Sequence, residues 1–199
     1  MDIVKKKYLF LVIIVIIGIV TGIIFSNIIN INDQKLVYDK VTNYFMNIKS
    51  GFSIDYFQTF INSFKNNILF LVLIWVLGLS IIGLFLNNLL LFFKSFVLGF
   101  GIGSIINIYL YKGIILALVY IFPHFILNIL FLVFLIYHAN NFSLKLFNLL
   151  FLKKDVKFNL LMKRYFKIFV IGIVSFFISS LIETFFSPFF IKVFTFLIN

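Results

Sequence analysis

Pro123-His124, with Asn128 one helical turn later, is where chemistry is most concentrated in this chain. A histidine at membrane depth can carry a proton, hold an ion or bind a neighbouring helix. Proline removes a backbone donor and kinks a helix, so His124 also has a structural task, filling the gap that Pro123 opens. The other titratable groups are few. The 199 residues include two histidines, six acids and no cysteine. Disulfides, thiolate metal sites, iron–sulfur clusters and thiol catalysis are thereby excluded. There is no H-E-x-x-H, G-x-S-x-G or P-loop pattern, and Asp33, Asp39 and Asp55 have no histidine near them in sequence. These residues predict a non-enzyme with no catalytic residue, no metal site and no cofactor. The run Gly99-Phe-Gly-Ile-Gly103-Ser104 resembles a nucleotide-binding glycine loop only superficially. A phosphate cradle needs a strand before it, and this run lies inside an apolar stretch, so it reads as a packing device.

The elements that must position these groups are five apolar stretches, 8–25, 68–86, 95–111, 113–137 and 168–186. A helix needs about 20 mainly apolar residues to cross a bilayer, and in lipid its backbone groups must pair internally. The expectation is an all-α polytopic membrane protein: five transmembrane helices plus two extracytoplasmic amphipathic helices, in one integral membrane domain over residues 1–199. Composition agrees, with 63% hydrophobic residues, 31 phenylalanines and a mean hydropathy of +1.19. The lipid bilayer is therefore the first partner. The formal net charge of +11 would suit nucleic acid in a soluble protein. Here the cations flank apolar spans as sorting signals, so no nucleic-acid partner is expected. The first stretch exceeds a signal-peptide core and reads as a retained anchor.

Lysine placement gives the spans a direction. Residues 138–167 form a basic loop with Lys145, Lys153, Lys154, Lys157, Lys163, Arg164 and Lys167 against Asp155. Lys5, Lys6 and Lys7 fall on the same side if four spans lie between the two clusters. The positive-inside rule then predicts a cytoplasmic N-terminus and an extracytoplasmic C-terminus. Within the spans, Gly18-xxx-Gly22 and Gly99-xxx-Gly103 are faces where backbones can approach closely. They predict packing seams inside the chain, with a homo-oligomer as the alternative. Asn87-Asn88 reads as a turn, Lys94 as a side chain snorkelling to an interface, and Glu183 as reaching the interface or facing Lys112.

Outside the spans, Leu36, Val37, Val41, Tyr44, Phe45 and Ile48 share one helical face of residues 35–49. Residues 52–65 repeat the pattern with Phe52, Tyr56, Phe57, Phe60, Ile61 and Phe64. This outer amphipathic segment, 35–65, either caps the bundle or offers a docking platform; Phe52, Tyr56, Phe57, Phe60 and Phe64 are the docking candidates. Residues 142–152 and 189–198 read as further interfacial helices.

The ordered motifs resemble the stage II sporulation protein M family. The resemblance runs over residues 8–152 and is tightest over 52–142. It is carried by Phe60-Ile-Asn-Ser-Phe-Lys-Asn66-Asn67, by Gly78 and Gly83, and by Lys94-Ser-Phe-Val-Leu-Gly99-Phe-Gly-Ile-Gly103. The Lys112-Gly113 turn and Pro123-His124 complete it. Many relatives carry a glutamate one turn after Pro-His, where this chain has Asn128, a departure that leans away from proton-coupled transport. The resemblance implies a non-catalytic membrane scaffold that localises peptidoglycan hydrolases during forespore engulfment. The stage II sporulation proteins D and P would be its partners. The alternative is a small permease or the membrane subunit of an export complex, with Gly99–Gly103 and Pro123–Asn128 lining a polar path.

Overall fold

The computed structural model describes residues 3–49, 55–121, 124–152 and 157–194; Phe52 and Pro123 lie outside them. Six helices follow one another: α1 (Ile3–Ile28), α2 (Ile31–Lys49), α3 (Tyr56–Gly78), α4 (Gly83–Ile121), α5 (His124–Phe151) and α6 (Phe158–Phe194). Among the described residues there is no strand. All of these helices except α2 are long and apolar enough to cross a membrane. The chain is a multi-pass, all-α membrane protein.

Each span buries a narrow stripe and turns the rest of its surface towards lipid. On α1 the stripe is Leu11, Val15, Gly18, Gly22 and Ser26, a strict three-or-four residue spacing. Ile13, Ile17, Val20 and Ile24 stay exposed. The α1 stripe lies along α4 at backbone distance. A Cβ on Gly18 would stand 2.7 Å from the Ser95 Cβ, and one on Gly99 would run into the Ile19 carbonyl. Gly22 and Gly103 are equally closed, by the Phe96 carbonyl and the Ser26 hydroxyl respectively. Small residues let the two helices gain dispersion contact that lipid cannot supply by a hydrophobic effect. Beside this seam, Leu71, Ile74, Leu132, Leu135, Ile136 and Phe176 form a buried core joining α3, α5 and α6.

The helix ends differ from the apolar stretches in several places. The turn after the second span falls at Leu79–Ile82, while Asn87 and Asn88 are helical residues of α4. Ser80 makes this turn: its hydroxyl donates to the Leu77 carbonyl (2.9 Å) and accepts from the Gly83 N–H (3.0 Å). A Cβ on Gly83 would collide with the Leu77 carbonyl, so the reversal needs glycine. The polar pair is drawn inside instead, where the Asn140 amide donates to Asn88 Oδ1 at 2.9 Å. In α4 the helical backbone is interrupted at Leu110 (φ 52°, ψ −130°). The chain folds back there, and a Cβ on Gly113 would approach the Ile105 carbonyl to 2.6 Å. Residues 111–121 therefore begin the return crossing, which α5 continues.

The second amphipathic helix is not a separate element. Residues 56–65 are the first turns of α3, started by Asp55, whose carboxylate accepts from the Gln58 N–H at 3.0 Å. Residues 142–151 likewise continue α5, and residues 158–167 open α6, so the basic segment 138–167 is largely helical. Residues 189–194 extend α6 past Pro188 rather than lying apart. In each case a helix already fixed by the bundle is prolonged at the cost of one residue per hydrogen bond, which favours extension over a fresh nucleus.

Candidate functional site

A polar layer crosses the bundle where α3, α4, α5 and α6 meet. The buried stripe of α3 reads Ser63, Asn67, Leu71, Ile74 and Gly78, polar at its first two positions and apolar below. Asn67 is the centre of the layer. Its amide N–H donates to Ser180 Oγ at 3.1 Å, and its Oδ1 accepts from the Asn128 amide at 3.1 Å. Asn67, Asn128 and Ser180 are 4%, 4% and 0% exposed, so these bonds are made out of reach of water. One turn earlier on α3, the Ser63 hydroxyl donates to Glu183 Oε2 at 2.5 Å. Glu183 also interacts electrostatically with Lys94 of α4, whose ammonium lies 4.6 Å from the centroid of the Phe70 ring. A carboxylate and an ammonium inside a span are costly alone and tolerable as a pair.

The sequence reading of Lys94 is corrected by this geometry. Because α4 starts at Gly83, Lys94 sits roughly 16 Å along the helix and turns into the bundle. It lines a cavity of about 230 Å³ together with Gly101, Phe125 and Asn128. Asn128 Oδ1 is buried there without a hydrogen-bond partner. Towards the α1 N-terminus the layer is closed by the apolar core of Leu71, Ile74, Leu132 and Phe176. Asn128 is thus brought to Asn67 across 61 positions, whereas His124 is the first residue of α5 and its side chain is outside what is described. Glu183, Lys94, Ser63 and Ser180 were not recognised in sequence as one group. Their signal was the polar prolongation of a buried stripe: Ser63 and Asn67 continue the Leu71–Gly78 spacing, and Ser179-Ser180 precede Glu183 by one turn.

The remaining candidates fall in two places. Gly78 and Gly83 bracket the α3–α4 turn, and a Cβ on Gly78 would meet the Tyr165 hydroxyl; the Ser143 hydroxyl donates to the Gly78 carbonyl at 2.9 Å. Gly99 and Gly103 belong to the α1–α4 seam. Of the aromatic candidates, Tyr56 stacks on Phe185 (5.5 Å), and Phe60 and Phe64 both meet the edge of Phe177. Phe57 points outward and is 73% exposed.

The two ends of the bundle differ in character. At one end the Lys7 ammonium donates to Asn141 Oδ1 at 2.6 Å, and Lys145, Arg164 and Lys167 gather around a cleft between α5 and α6. The N-terminal and central basic clusters therefore share one face. At the other end α2 packs Phe45 and Ile48 against Ile105, Leu116 and Ile191. Its Leu36, Tyr38 and Met46 stay exposed.

The family model for stage II sporulation protein M matches residues 11–188. The chain belongs to the stage II sporulation protein M family. The match spans α1 to the Pro188 turn of α6, so the polar layer, the glycine seam and α2 all lie within the family region. It also extends the resemblance read over residues 8–152 into the last helix. No match was found among curated proteins or among solved structures. As a member of this family the chain is a multi-pass membrane protein of sporulation.

Proposed function

We propose that this family member is a non-catalytic membrane scaffold that holds peptidoglycan hydrolases, the stage II sporulation proteins D and P, at the membrane during engulfment. The basic end faces the cytoplasm and α2 faces the wall, as the positive-inside rule requires. One observation carries the reading: α2 is anchored through Phe45 and Ile48 while presenting Leu36 (60% exposed), Tyr38 (52%) and Met46 (56%) outside the spans. A helix fixed on one face and apolar on another suits a partner helix or domain better than it suits water.

The test is affinity capture of proteins D and P by the full chain from sporulating cells. Deleting residues 35–65 would remove the start of α3, so the variant is Leu36→Ser, Tyr38→Ser and Met46→Ser together. Loss of both hydrolases with unchanged thermal stability supports the reading; capture at full yield overturns it. A permease is the second reading, favoured by the 230 Å³ cavity beside Lys94 and Asn128. It requires solute or proton flux in proteoliposomes that Glu183→Gln abolishes.

A further inference from the structure

The family assignment leaves the cleft between α5 and α6 at the basic end without a task. It holds about 610 Å³ and is lined by Lys145 on α5 and by Arg164 and Lys167 on α6. No acidic residue lines it among the described residues. Three cations from two helices around one hollow repel one another, and a bound anion relieves that repulsion.

The floor of the cleft is rigid. Tyr165 donates its hydroxyl to the Trp75 carbonyl at 3.0 Å, and its ring stacks on Phe142 at 4.3 Å. Asn141 also lines the cleft, and its Oδ1 is held by Lys7, which turns the amide N–H₂ away from Lys7 as a donor. The wall is apolar: Leu161, Ile168 and Ile171 descend along α6, and Ile171 is 49% exposed where the hollow meets the lipid-facing surface. A cationic mouth above an apolar wall open to hydrocarbon fits a molecule with a phosphate at one end and acyl chains at the other. Inorganic phosphate would leave the wall unused.

We propose that this cleft binds the phosphate of an anionic phospholipid, with Lys145, Arg164 and Lys167 on the headgroup and an acyl chain along Leu161, Ile168 and Ile171. The proposal is independent of the scaffold reading.

The experiment is native mass spectrometry of the full-length protein in detergent, titrated with phosphatidylglycerol, with phosphatidylcholine and with inorganic phosphate. The site variant is Arg164→Gln with Lys167→Gln. The control is Lys5→Gln with Lys163→Gln, which removes the same charge from the same end outside the cleft. Expected is preferential retention of phosphatidylglycerol, weakened about fivefold for each cleft cation removed and unchanged in the control. Equal weakening by both variants would reduce the effect to diffuse surface charge and overturn the site. Equal retention of phosphatidylcholine, or displacement of phosphatidylglycerol by millimolar phosphate, would overturn the anionic-lipid assignment.

Discussion

Glu183 and Lys94 show how a membrane changes the meaning of a charged residue. Each is an ionisable group among apolar side chains; Glu183 is held directly by the Ser63 hydroxyl, and Lys94 lies within its electrostatic reach. Glu183→Leu should therefore lower unfolding free energy by about 2 kcal/mol, because Ser63 loses its acceptor and Lys94 an opposite charge nearby. Adding Lys94→Met should recover part of that loss. Thermal unfolding of the purified variants in detergent decides this; strictly additive losses would mean the two charges do not act as a pair. Asn67 and Asn128 were legible in sequence as polar residues in apolar company. Their meeting was not, because a contact between positions 61 apart depends on how three helices rotate about their axes.

Helices carry the clearest contrast between what composition shows and what geometry decides. The run 99–103 holds three glycines that composition cannot rank. The fold ranks them: a Cβ on Gly99 would enter the Ile19 backbone, whereas one on Gly101 meets nothing within 4 Å. Gly99→Ala should destabilise by about 3 kcal/mol through forced separation of α1 and α4. Gly101→Ala should be neutral or gain up to about 1 kcal/mol from helix propensity. Parallel melting curves would expose an error if the two variants behaved alike. Leu110 gives a prediction of opposite sign. Its positive φ costs a leucine about 1–3 kcal/mol, its side chain is 69% exposed, and glycine adds about 1 kcal/mol of unfolded-chain entropy. Leu110→Gly should then raise stability by about 1 kcal/mol, and a fall in melting temperature would refute the strain. The spans themselves were readable because apolar length is a local property. Their ends were not. The reversal at Leu79–Ile82 is made by a serine clamp and a glycine amid apolar residues, while Asn87-Asn88, which looks like a turn, is helical, with Asn88 bonded to Asn140 inside the bundle. Ser63 is a further case: a polar residue within the amphipathic stretch 52–65, it lies on the inner side of α3.

For the molecule as a whole, the two basic clusters meet at one end and α2 occupies the other, so a single labelling experiment reads the orientation. The native chain has no cysteine, which makes single-cysteine variants clean reporters. Lys163→Cys should react with an impermeant maleimide only after the membrane is opened, and Asn43→Cys should react in intact protoplasts. The reverse pattern would invert the assignment and remove the basis for wall-facing docking. The break at Leu110 bears on how the chain is made as well as on how it stands. Residues 111–121 amount to roughly 16 Å of helix, half of what hydrocarbon requires. A ribosome that has delivered only this far has delivered a segment too short to leave the translocon by itself. Residues 111–121 must wait for α5 and partition into lipid as part of one hairpin with the α4 residues before Leu110, so the central third of this protein enters the membrane as a unit or not at all.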